Sequence, residues 1–90
     1  MTTKDNTPSL HSPKNPYRVQ INYDKALKGL GSVTSYGGMT IGEVESLAIG
    51  EVKRNKMGAY ITIMHNAAGY PNFDWHQIKA YHVDKNGKED

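Results

Sequence analysis

Residues 36–58 read YGGMTIGEVESLAIGEVKRNKMG, and this stretch decides the fold. It carries the start and stop signals of one amphipathic helix. Thr40 followed three residues later by Glu43 forms a capping box, while Met39 and Val44 stand at the N′ and N4 positions of a hydrophobic staple. Lys53, Arg54 and Lys56 complement the negative end of the helix dipole, and Gly58 is placed for a left-handed C-cap. At about 100° per residue, Ile41, Val44, Leu47, Ala48 and Val52 fall on one apolar stripe, with Ile49 to one side. A single striped helix needs another layer to cover it.

The flanking sequence supplies that layer. YRVQINY alternates strictly, with Tyr17, Val19, Ile21 and Tyr23 on one side and Arg18, Gln20 and Asn22 on the other, the period of a half-buried strand. DKALKGLG is a connection, and SVTSY is predicted as a second strand paired back on the first in a register that the pattern leaves open. Beyond the helix, AYITIM places Ala59, Ile61 and Ile63 on one face and Tyr60, Thr62 and Met64 on the other. HNAAGYPNFD is a loop punctuated by Gly69 and Pro71, and WHQIKAYHV is a last strand. The expected fold is α+β, a two-layer sandwich of about four antiparallel strands with one helix on one face, in the order β-β-α-β-β. One domain is expected over residues 17–84. Residues 1–16 hold three of the four prolines among Ser, Thr, Asn and Lys, and are expected to form a mobile tail. Residues 85–90 are expected to form a C-terminal tail, with DKNG as a turn leading nowhere.

Composition narrows the chemistry. The 90 residues include no cysteine, so neither a disulfide framework nor a thiolate nucleophile is available, which suits a reducing cytoplasm. No run approaches the roughly 20 apolar residues of a membrane span, and the N-terminus lacks an apolar core of the signal-peptide kind. A cytoplasmic protein without a membrane partner is expected. The formal charge is +2, with acids and bases interspersed. GLGSVT begins like a dinucleotide fingerprint, but it lacks the third glycine and leads into a strand. Gly37 and Gly38 precede a helix N-terminus that could hold an anion, yet Glu43 and Glu45 already bring negative charge there and Thr40 takes a capping donor. The bland reading is a glycine turn that lets the helix fold onto the sheet. On a regular strand His76 and His82 share a face but lie six residues apart, roughly 20 Å, too far for one ion. Asp74, His76 and His65 could approach one another, but no ligand spacing supports a metal. Neither cofactor nor metal is expected, and no nucleophile elbow or forced carboxylate pair argues for catalysis.

Two surfaces stand out. The sheet face that cannot meet the helix is expected to carry Arg18, Gln20, Asn22, Tyr60, Thr62, Met64, Trp75, Gln77, Lys79 and Tyr81. Of these, Arg18, Gln20, Tyr60, Met64, Trp75, Lys79 and Tyr81 are the candidate partner-binding residues. Aromatic residues beside Arg, Lys and Gln serve protein recognition, and they also stack single-stranded bases. Cross-strand pairs that only stabilise the sheet are the bland reading. The second surface is a strip of small residues, Gly42, Ser46 and Gly50, bordered by Ile49 and Lys53 and lying opposite the apolar stripe. Each interior glycine costs about 1 kcal/mol relative to alanine. The strip is either an idle outer face or a place where a second backbone, from a copy of this chain or another protein, comes close.

In size and plan the chain resembles small phage-encoded proteins that bind and disable a host machine, anti-CRISPR and host-takeover proteins among them. The resemblance covers the cysteine-free length, the loose N-terminus and the β-β-α-β-β order. It implies an inhibitor acting in the host cytoplasm on a host protein or complex. Many such inhibitors carry dense acidic surfaces that mimic nucleic acid; this sequence does not. The expected function is therefore non-enzymatic occupation of a partner protein through the aromatic sheet face. The alternative is a nucleic-acid-binding domain that stacks bases on Tyr60, Trp75 and Tyr81 and holds phosphates with Arg18, Lys25, Lys28 and Lys79.

Overall fold

The computed structural model describes residues 9–27 and 31–90; Lys28 and the first half of the expected N-terminal tail lie outside the described residues. The elements run β1 (Tyr17–Leu27), β2 (Gly31–Gly38), α1 (Ile41–Asn55), β3 (Ala59–Asn66) and β4 (Trp75–Val83). They form one antiparallel sheet of order β2-β1-β3-β4 with the helix packed on one face, the expected α+β sandwich. β1 continues through Leu27, beyond the alternating heptapeptide that marks it in the sequence.

Register follows the period-2 pattern. Val19 pairs with Tyr36 on one side and Ile63 on the other, and Ile21 pairs with Thr34 and Ile61. The inward residues Val19, Ile21, Tyr23, Ala59, Ile61, Ile63 and Val83 meet Val44, Ala48 and Val52 of the helix, and these are the core. The stripe is narrower than the sequence suggests. Leu47 is half-buried and Ile41 is 37% exposed, whereas Ile49 leans in and packs against the core.

The helix begins as expected. Thr40 Oγ1 accepts the N–H of Glu43 at 3.1 Å, and Glu43 Oε1 accepts the N–H of Met39 at 2.8 Å. Gly38 closes β2 against the helix, since a Cβ there would stand 2.9 Å from Val44 Cγ1. The C-terminus differs from expectation. Lys56, not Gly58, takes the left-handed cap, at φ 54° and ψ 41°. Gly58 is required for another reason: a Cβ would lie 2.9 Å from the Val83 carbonyl oxygen and 2.7 Å from Asp24 Oδ2.

Both expected tails need correction. In the N-terminal segment, the Leu10 carbonyl accepts the N–H of Gly37 at 2.6 Å, the Pro16 carbonyl accepts that of Asn66 at 2.9 Å, and Asn15 is buried. Residues 9–16 thus pack on the sheet. At the other end, Glu89 bridges Val83, Asp84 N–H donates to the Lys88 carbonyl at 2.8 Å, and Gly87 sits on Ile49 and Lys53. The turn leads back onto β4 and the helix.

The largest correction lies in β4. The partner of Ile63 is Lys79, but the partner of Met64 is Gln77, so Ile78 is an extra residue, a β-bulge. One extra residue exchanges the faces of everything beyond it. Lys79 and Tyr81 therefore lie on the helix side, opposite Ile63 and Ile61, while Trp75 and Gln77 remain on the outer face. His76 and His82, expected on one face, lie on opposite ones: His76 pairs with His65, and His82 with Tyr60.

Candidate functional site

The outer face is built in rows across the sheet. One row is Gly37, Arg18, Met64, Gln77; the next is Ser35, Gln20, Thr62, Ala80; the third is Val33, Asn22, Tyr60, His82. Of the seven sequence-predicted residues, Arg18, Met64 and Trp75 come together at one end, and Gln20 is in the neighbouring row. Tyr60, 53% exposed, lies four residues along β3 from Met64, roughly 13 Å away.

Lys79 and Tyr81 do other work. Glu45 of the helix accepts a hydrogen bond from Tyr81 Oη at 2.7 Å and an ion pair from Lys79 Nζ at 2.8 Å. The bonds from Lys79 and Tyr81 hold the Glu45 carboxyl below its ordinary range, and burial followed by the bond to Glu45 pushes the Tyr81 hydroxyl up. These three side chains tie the helix to the edge strand. Since Tyr81 is half-buried on the helix side, Tyr60, Trp75 and Tyr81 do not form one stacking platform.

The end that carries Trp75 is extended by residues the strand pattern did not reveal. Tyr70 and Phe73, in the loop between β3 and β4, are 50% and 52% exposed. Their rings meet edge to face with centroids 6.2 Å apart, and Phe73 stacks on Trp75 at 6.4 Å and 20°. Lys14 Nζ stands 5.8 Å from the centre of the Tyr70 ring and the Arg18 guanidinium 5.7 Å from that of Trp75, both within cation–π range. Arg18 also donates to Ser35 Oγ at 3.2 Å, which fixes its stem along the sheet. The result is a run of three rings with a cation at each end. The one sequence signal available was two aromatic residues in a loop of Gly, Pro and Asn; Lys14 carried none.

Asn66 shapes this display. It is 4% exposed, and its Oδ1 accepts the N–H groups of Asp74 at 2.8 Å and Ala68 at 3.2 Å, while its Nδ2 donates to the Asn72 carbonyl at 2.8 Å. Ala67 N–H donates to the Asp74 carbonyl at 2.9 Å, and Gly69, at φ 81°, closes a turn with Asn72. The loop that presents Tyr70 and Phe73 is thus tied at its base by one amide side chain.

The small-residue strip is outside the core: Gly42, Ser46 and Gly50 are all exposed. A Cβ on Gly50 would meet nothing within 4 Å, and one on Gly42 only Thr40 Oγ1 at 3.9 Å. Ser46, Ile49, Gly50 and Lys53 line a recess with Glu45 and Tyr81, on the flank of the helix above β4. Part of its border is already occupied by Gly87 of the C-terminal turn.

At the helix N-terminus the capping box engages the Glu43 and Met39 N–H groups and brings the Glu43 carboxylate to the end of the helix, where its charge disfavours an anion. Asp74 and His76 do approach, at 3.1 Å, as an exposed pair. Among the described residues no group of three or more His, Cys, Asp or Glu side chains is arranged to hold a metal ion, and no helix is long and apolar enough to cross a membrane. Compared with known proteins, the chain matches no family model, no curated protein and no solved structure.

Proposed function

We propose that this chain is a non-enzymatic binding module that occupies a partner protein through the patch formed by Tyr70, Phe73, Trp75, Arg18 and Lys14, continuing over Met64 and Gln20 toward Tyr60. The observation that carries this reading is the three-ring run, half-exposed yet held in one arrangement by Asn66. Large aromatic rings in water are unfavourable unless something covers them. Tyr, Trp and Arg are also the residues that dominate measured interface energies, and rings fixed beforehand lose little entropy on binding. The plan of the chain extends the proposal to an inhibitor of a host protein or complex, of the phage-encoded kind, acting in the cytoplasm.

The test is affinity capture from nuclease-treated lysate with the wild-type chain and with Tyr70→Ala/Phe73→Ala. Both side chains are half-exposed, so the variant is expected to fold with little change in thermal midpoint. A discrete protein retained by the wild type and lost by the variant is the expected result. The same proteins recovered by both would contradict the reading.

The cations at each end of the ring run favour one second reading, single-stranded nucleic acid stacked on Trp75 and Phe73. Trp75 is the single tryptophan, so its emission reports on the patch directly. Quenching by an oligonucleotide that weakens steeply with salt would favour this alternative. A protein contact of mostly apolar character would change little with salt.

A further inference from the structure

On the helix side, away from the aromatic patch, Lys53 and Lys56 at the end of α1 and Lys85 in the C-terminal turn line one recess together with Asn86. Like charges gathered on one recess repel one another, and nearby carboxylates would relieve this. None does so. Among the described residues no carboxylate lies within ion-pair distance of Lys53, Lys56 or Lys85, whereas Arg54 pairs with Glu51 and Lys79 with Glu45. The acid nearest in sequence, Asp84, is turned to its own backbone: Oδ1 accepts the N–H groups of Asn86 at 2.8 Å and Lys88 at 3.0 Å. The C-terminal end of the helix contributes about half a negative charge, which three full positive charges outweigh.

The backbone adds a second observation. Lys56, at φ 54°, is the sole non-glycine residue with positive φ among those described. At a helix end this conformation belongs ordinarily to glycine, because a Cβ is disfavoured there. Strain of this kind persists where the surrounding structure imposes it, and it concentrates at ligand-holding positions. The opposite wall is firm as well, because Gly87, at φ 81°, seats the turn on Ile49 and Lys53.

We infer that this recess binds a phosphate-bearing anion, with Lys53, Lys56 and Lys85 as its cationic walls and the Asn86 amide as a neutral donor. Several ammonium groups around one recess suit a multiply charged group with many oxygens, and lysine holds phosphate as a mobile point charge. Free polyphosphate and the backbone of a nucleic acid share this chemistry. The site stands apart from the aromatic patch, so either proposal can fail without the other.

The experiment titrates the full chain at low salt with tripolyphosphate by calorimetry, and in parallel with a short single-stranded oligonucleotide. Saturable tripolyphosphate binding that weakens with added salt is expected. Lys56→Gly is the decisive variant, because relief of the left-handed lysine should raise the thermal midpoint without ligand while affinity falls about tenfold, the loss of one charge-assisted contact. Lys85→Gln should lower affinity similarly. An oligonucleotide whose affinity falls with the same two substitutions identifies nucleic acid as the source of the phosphate, and one indifferent to them leaves free polyphosphate. Absence of saturable tripolyphosphate binding, or equal affinity in wild type, Lys56→Gly and Lys85→Gln, would overturn the inference.

Discussion

Two glycines of this chain answer opposite demands, and single methyl groups separate them. Gly50 faces open space in mid-helix, so Gly50→Ala should stabilise the fold by up to about 1 kcal/mol through helix propensity and a narrower unfolded ensemble. Gly58 faces the Val83 carbonyl at a distance no Cβ tolerates, so Gly58→Ala should destabilise by about 1–3 kcal/mol. Denaturant midpoints of the two variants check both signs, and sedimentation of Gly50→Ala reports whether the outer helix strip serves self-association. His82 gives a pH prediction. Its Nδ1 lies 2.7 Å from Asp90 Oδ1 and its Nε2 3.0 Å from Asp24 Oδ1, and a neutral ring can donate to only one of them. The bond to Asp90, then that to Asp24, raises its pKa above the ordinary 6.5. A raised folded pKa means that the stabilisation is complete below the unfolded value and is lost as pH rises through the folded one. The thermal midpoint of the wild type relative to His82→Gln should therefore decline as pH rises above 6.5. A difference independent of pH would show that the ring bridges nothing.

Among the elements, the β3–β4 loop and the strand after it carry most of what the sequence concealed. Asn66→Ala removes the acceptor for two loop amides and should cost about 1–3 kcal/mol. Hydrogen exchange at Ala68 and Asp74 should accelerate while the helix amides keep their order of protection. Unchanged exchange there would mean that Asn66 does not organise the aromatic display. The helix was legible because its cap, staple and stripe are local signals, each confined to a few neighbouring residues. β1 and β3 were legible because one face of each is buried and the other is not, which strict alternation records. β4 followed no such pattern: His76, Gln77, Ile78, Lys79 and Ala80 are all exposed, so nothing in their polarity fixed the phase. The bulge at Ile78 then exchanged the faces, which moved Lys79 and Tyr81 to the helix and separated His76 from His82. Such a bulge on an edge strand also interrupts regular pairing with another chain, a common guard against aggregation.

The assembled chain has a helix-covered face and an open one, with short terminal segments folded onto both. That division was readable from alternation and one amphipathic helix. The packing of residues 9–16 was not, because Leu10 engages β2 through its backbone carbonyl, while Asn15 packs against Gly37 and donates its amide to the Ser9 carbonyl within the segment, contacts that leave no hydrophobic periodicity. Of the candidate site, Arg18, Met64 and Trp75 were legible from strand phase, while Tyr70, Phe73 and Lys14 join them only through loop geometry and the returning N-terminal segment. The central claim is that recognition belongs to the aromatic end of the open face and not to the small-residue strip of the helix. Photo-crosslinking from position 73 and, separately, from position 50 tests it most directly, with both variants checked for a wild-type thermal midpoint. We expect a discrete protein adduct from position 73 that Trp75→Ala diminishes, and none from position 50. An adduct from position 50 alone, or nucleic acid in place of protein at position 73, would contradict the claim.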